Sequence, residues 1–146
     1  MIKDDILKLI HKYLKEHNKE RVGCLRYLLS QIKYKEIDLK KDITDEETYE
    51  LLRKEVKKRR EAIELFQKGN RPDLVLANLS EIKIIEEFLP PALPEEEIIK
   101  IIDDILAKSE GESHPGKIIG MVMSLSKGRA EGGIIAKLVQ QKLNKS

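Results

Sequence analysis

Two runs in this 146-residue chain combine residue types and spacing that can do chemistry. Lys127-Gly128-Arg129-Ala130-Glu131-Gly132-Gly133 places three glycines and two cations ahead of an apolar-periodic segment. Backbone N–H groups at a helix start, beside positive charge, receive an anion or phosphate. The same run also reads as a glycine-rich turn between helices carrying surface cations. The second run is Arg53-Lys54-Glu55-Val56-Lys57-Lys58-Arg59-Arg60-Glu61. Projected on a helix, Val56, Arg59 and Ile63 share the apolar stripe, while Lys54, Lys57, Lys58 and Glu61 face outward. A cation on such a stripe requires a carboxylate, and Glu81 or Glu86 of the next helix is the expected partner of Arg59. The outward lysines can meet phosphate, although solvation explains them equally. The candidate nucleic-acid contacts are thus Lys127, Gly128, Arg129, Lys137 and Lys142, with Lys54, Lys57 and Lys58 as a secondary patch.

Other chemistry finds no constellation. His11, His17 and His114 share no metal spacing, since a six-residue offset turns about 240° around a helix. Cys24 sits beside Leu25 on a buried stripe, where cysteine behaves as a small hydrophobe. Glu86-Glu87 could serve acid/base work only in a pocket that shifted their pKa values. There is no glycine-rich phosphate loop following a strand. No catalytic residue, metal or cofactor is assigned. The two Phe and four Tyr mostly fall on buried stripes, which favours recognition of structured RNA by shape and backbone over reading of single strands.

The elements that must position these residues are helices throughout, because apolar residues recur at helical spacing and period-two alternation is absent. Ile2, Ile6, Leu9, Ile10, Tyr13 and Leu14 mark a first helix. Asn18 caps a second, which buries Val22, Leu25, Leu28, Leu29 and Ile32 and ends near Ile37-Asp38. Thr44 through Glu47 form a capping box for a third, striped by Tyr49, Leu52, Val56, Ile63 and Phe66, with Gly69 as its left-handed stop. Pro72 opens a fourth, burying Leu74, Leu79, Ile82, Ile85 and Leu89. Pro90, Pro91 and Pro94 break the pattern and are expected to act as a hinge. Glu95, Glu96 and Glu97 suit the first turn of a fifth helix with Ile98, Ile101, Ile102, Ile105 and Leu106 inside. The stretch around Gly111 reads as loop. A sixth helix starts near Ser113-His114-Pro115 and buries Ile118, Ile119, Val122 and Met123. A seventh carries Ile134, Ile135, Leu138, Val139 and Leu143. The fold class is therefore all-α: a four-helix N-terminal lobe (1–89), a proline hinge (90–94) and a three-helix C-terminal lobe (95–146).

A chain of this length can bury a core without a disulfide or metal. The single Cys24 forms no internal bridge, which fits a reducing, cytoplasmic setting. No stretch approaches the ~20 apolar residues of a membrane span, and the N-terminus does not read as a signal peptide. The net charge of +2 says little about partners; its distribution says more. Residues 1–41 carry eleven Lys/Arg against six Asp/Glu, and residues 53–60 six against one. Residues 95–112 carry two against seven, and residues 114–146 six against one. Basic stretches thus flank an acidic one.

Several blocks, in this order, carry a resemblance. They are Leu25-Arg26-Tyr27-Leu28-Leu29-Ser30-Gln31-Ile32-Lys33, Lys54 through Ile63, Gly69-Asn70-Arg71-Pro72-Asp73-Leu74, and Glu86-Glu87-Phe88-Leu89-Pro90. Gly116 through Met123 and Lys127 through Gly133 complete the set, with Leu138-Val139 behind. Together they resemble the GatB/YqeY family, free-standing relatives of the tail domain of GatB in the glutamine-dependent tRNA amidotransferase. The resemblance implies a helical N-terminal lobe and a small three-helix C-terminal lobe. It implies tRNA as a partner, because the equivalent tail domain grips the outer corner of tRNA, or else a protein of the amidotransferase or translation machinery. It also carries the family's label of carbon–nitrogen ligase activity with glutamine as amido-N-donor. That chemistry belongs to other parts of the larger enzyme, and this chain has no residues for ATP or glutamine chemistry. A protein-interaction module without RNA contact is the alternative. Three positions depart from the family pattern: Phe88 stands for Tyr, Tyr34 for Asn, and Glu131 for Asp. Glutamate is a poorer N-cap than aspartate.

Overall fold

A computed structural model describes residues 1–108 and 114–144. Those residues form seven α-helices and no strand: α1 (Ile2–Lys15), α2 (Lys19–Leu39), α3 (Asp45–Lys68), α4 (Pro72–Glu86), α5 (Glu95–Lys108), α6 (Pro115–Ser126) and α7 (Gly132–Asn144). The all-α expectation holds. The loop expected around Gly111 lies outside the described residues. The chain divides into two compact units, Met1–Leu89 and Pro90–Ser146.

In the first unit, local chemistry sets the helix ends. The Asn18 side chain accepts from Arg21 N at 3.2 Å and starts α2. Thr44 Oγ1 accepts from Glu47 N at 3.1 Å while Glu47 Oε1 accepts from Thr44 N at 3.2 Å, so two orphan amides of α3 are satisfied reciprocally. Helix α2 ends on Lys40 in the left-handed region. The stop of α3 differs from expectation: Gly69 keeps φ −83° and Asn70 turns left-handed at φ 53°. Asparagine tolerates that region better than most residues, and it lets Arg71 N reach Phe66 O at 2.9 Å.

Two helical hairpins, α1–α2 and α3–α4, share one core. Ile2, Ile6 and Ile10 of α1 meet Leu25, Leu28 and Ile32 of α2, Leu52 and Val56 of α3, and Ile82 and Ile85 of α4. Two expected core positions are exposed, Leu14 and Leu79. On α4 the buried stripe runs through Ile82, Ile84 and Ile85 instead. Two of the four tyrosines also escape the core: Tyr27 is 40% and Tyr34 64% exposed. His17 lies beyond the end of α1 at φ 58°, so it and His11 do not share a helix.

The second unit packs α5, α6 and α7 around Ile98, Ile102, Ile105, Ile118, Val122, Ile135, Leu138 and Val139. Expected core residues Met123 and Ile134 are exposed. The proline segment is bonded within this unit: Leu93 N donates to Arg129 O at 2.7 Å, and Arg129 Nε donates to Pro91 O at 3.0 Å.

Candidate nucleic-acid interface

The turn between α6 and α7 holds three consecutive sequence candidates, Lys127, Gly128 and Arg129. Helix α6 ends on Lys127 at φ 50°, followed by Gly128 at φ 76°. Two consecutive left-handed residues reverse the chain, and the second conformation is one that a side chain at Gly128 would strain. Arg129 N then returns to Ser126 O at 3.0 Å. Arg129 is consequently a structural piece: its side chain and its carbonyl both hold the proline segment. Glu131 O accepts the first bond of α7 from Ile135 N at 3.1 Å. The amides of Gly132, Gly133 and Ile134 therefore stand at the helix start, where no intrahelical acceptor reaches them and the dipole is positive.

Lys127 is exposed at this end. Lys137 is exposed one turn beyond Gly133 on the same side of α7. Lys142 lies farther along α7 and is committed, with Nζ 3.2 Å from Asp103 of α5. Lys127, Gly128 and Arg129 thus lie together at one end of the α6–α7 hairpin, with Lys137 in the second turn of α7 and Lys142 farther along it.

Lys54, Lys57 and Lys58 belong to the first unit and project from α3. Lys54 stands 3.8 Å from Glu50, and Lys58 3.4 Å from Glu55, both lysines being well exposed. Arg59 is different. Only 12% of its side chain is accessible, Nε bonds Glu81 at 2.8 Å, and NH1 bonds Glu55 at 2.8 Å. Its guanidinium also lies 5.3 Å from the centre of the Tyr27 ring. Burial opposes the Arg59 charge, but the bonds to Glu55 and Glu81 outweigh it and hold the pKa above its ordinary value. The expected carboxylate is Glu81; Glu86 pairs with Arg60 instead. Sequence reasoning missed Glu55, which is 3% exposed. The available signal was its position four residues before a stripe-borne arginine.

A second cross-element clamp was also missed. Arg21 makes a bidentate pair with Glu87 at 2.8 and 2.9 Å and lies 5.2 Å from the Tyr13 ring centre. Cys24 is buried and free, and burial, with Glu81 nearby, pushes its thiol up to about 11. At neutral pH it is therefore a thiol and a poor nucleophile. No group of three or more His, Cys, Asp or Glu among the described residues is placed to hold a metal ion. No helix among them is long and apolar enough to cross a membrane.

These features define a small all-α protein with two compact units, a basic inter-helix turn and a salt-bridged α3. The family profile described as Yqey-like protein matches residues 3–143, and the chain belongs to the YqeY family. It is 35% identical over 85 residues to an uncharacterized protein of Schizosaccharomyces pombe, a match covering 58% of this chain and 69% of that one. It is 43% identical over 81 residues to altered inheritance of mitochondria protein 41, mitochondrial, of Lachancea thermotolerans. The protein of that name from Kluyveromyces lactis is 41% identical over 80 residues. These matches cover 53% and 52% of this chain and 43% of either mitochondrial relative, so the chain spans less than half their length.

Proposed function

We propose that this YqeY-family chain is a tRNA-binding accessory module, related in role to the tail domain of the tRNA amidotransferase. The observation that carries the reading is the α6–α7 turn, where the helix-start amides of Gly132 and Gly133 follow exposed Lys127, with exposed Lys137 one turn beyond Gly133. Phosphate oxygens answer both features, and such contacts position a protein on a nucleic acid without reading its sequence. The module works in a reducing compartment, the cytoplasm, which suits its one free, buried thiol.

A gel-shift titration with bulk tRNA at several salt concentrations tests this. Binding that weakens steeply with salt supports the reading, because displaced counterions set that slope. Failure to bind at low salt rejects it. A second reading, docking of a partner protein, is favoured by exposed Met121 and Leu125 on α6 and Ile134 on α7. Capture of one partner by this unit, insensitive to salt and lost in Leu125→Ser, would favour that reading.

A further inference from the structure

The groove between α2 and α3 plays no part in the reading above. It lies within the first unit and has a volume of about 210 Å³. Gln31, Tyr34, Lys35 and Asp38 form its α2 wall, and Glu50, Lys54 and Lys58 part of its α3 wall. Spacings of three, four and seven residues put the α2 group on one helix face, and Lys54 and Lys58 are neighbours one turn apart.

Three observations converge. Tyr34 is 64% exposed, is not packed on the core, and has no cation over its ring among the described residues, unlike Tyr27 and Tyr13. Its ring therefore offers a free π-face at a groove, the platform on which a nucleobase stacks. Lys54 is engaged in an exposed pair with Glu50, which binds its ammonium group weakly. Lys58 is itself exposed and stands 3.4 Å from the buried Glu55, whose charge Arg59 already answers at 2.8 Å, so both ammonium groups can turn to a phosphate. The acidic side chains are not equivalent. Glu55 is held by Arg59, and Glu47 by the α3 cap and Lys41. Asp38 is exposed, one turn beyond Tyr34, and makes no ion pair among the described residues.

We infer that the α2–α3 groove binds a guanosine 5′-phosphate unit, either as a free nucleotide or as an unpaired nucleotide of RNA. The base stacks on Tyr34, and the carboxylate of Asp38 accepts from the adjacent N1–H and N2–H groups of guanine. Lys54 and Lys58 bracket the phosphate. A protein partner is less suited, since Leu51 is the one aliphatic residue lining the groove among the described residues. The aromatics were expected to fall mostly on buried stripes; Tyr34, 64% exposed, does not.

Calorimetric titration of the full chain tests the inference with three probes: guanosine 5′-monophosphate, a single-stranded RNA octamer containing one G in a U background, and a blunt RNA duplex. Binding of the nucleotide identifies a free ligand, and binding of the octamer alone identifies RNA. Either outcome upholds the inference provided that Tyr34→Ala weakens it roughly tenfold or more and Tyr34→Phe restores it. Asp38→Asn should remove preference for guanosine over uridine 5′-monophosphate. Lys127→Glu with Lys137→Glu should leave groove binding unchanged, so its outcome is separable from that of the tRNA reading. The inference is overturned if neither guanine probe binds, if Tyr34→Ala binds as wild type, or if the duplex binds as well as the octamer.

Discussion

The cations of α3 and those of the α6–α7 turn stand in opposite relation to their surroundings. In α3 the basic run is the densest in the chain, yet much of its charge is answered internally. Arg59 is held by Glu55 and Glu81, Arg60 by Glu86, Lys58 by Glu55, and Lys54 more loosely by Glu50. At the turn the cations are fewer, but Lys127 and Lys137 project from a surface with helical amides behind them. A basic run in a sequence is therefore not a basic surface. The paired arginines Arg59 and Arg60 fix α3 onto α4, and the exposed lysines are what remains for an anion.

The comparison breaks most severely at Arg59. Arg59→Met strands Glu55 beneath the surface, and removal of one partner of a buried pair costs about 3–5 kcal/mol. Urea denaturation of the full chain should show that loss as a lower midpoint. Adding Glu55→Gln should recover a large part of it, because the stranded charge is then gone. A single variant as stable as wild type would mean that the network does not hold α3.

Acid should act next most strongly, and on the first unit. Glu36, bonded by Lys3 and the Ile43 amide, titrates below its ordinary value of 4.5. Glu87, bonded by Arg21, is likewise depressed. A carboxyl depressed in the folded state stabilises that state above its unfolded pKa, and the contribution disappears as pH falls through the depressed value. Melting temperature should thus be flat from pH 7 to about 5 and fall below about 4.5. Arg21→Met should remove the Glu87 share of that slope. An unchanged slope in that variant would separate the clamp from acid stability.

A smaller effect attaches to the start of α3. Thr44→Ala removes the oxygen that accepts from Glu47 N and should cost about 1 kcal/mol. Thr44→Ser should restore it, and chemical denaturation reads both.

That cap was legible in the sequence because capping chemistry is local, as were Asn18, Pro72 and the stripes of α1, α2 and α5. Arg59 was legible too, since a cation on an apolar stripe must be paired. Glu55 was not, because periodicity treats a charged residue beside a stripe as solvated, and only the approach of α4 makes it buried. Leu14, Leu79 and Met123 failed in the other direction. Each is apolar at a tolerable helical phase, but packing leaves more than a third of it exposed. The candidate cations could be named from their residue types. Which of them a carboxylate or carbonyl already holds, as Asp103 holds Lys142 and Pro91 O holds Arg129, depends on contacts that spacing does not encode.

The turn supplies the smallest stability effect and the clearest functional one. Lys127 and Lys137 are exposed, so Lys127→Glu with Lys137→Glu should change stability by no more than about 0.5 kcal/mol. Arg129→Glu is a poorer probe: it also forfeits the bond to Pro91 O, worth about 0.5–1.5 kcal/mol. If Lys127 and Lys137 meet phosphates, the double variant should weaken tRNA binding and flatten its salt dependence by roughly 0.7–0.9 log units per contact. The matched control is Lys57→Glu with Arg60→Glu on α3, where Arg60 is already answered by Glu86. If the α3 pair abolishes binding and the turn pair binds normally, the contrast is inverted, and charge density rather than free charge selects the site. If the turn pair alone loses affinity while both variants melt as wild type, the exposed lysines beside the α7 amides carry the contact.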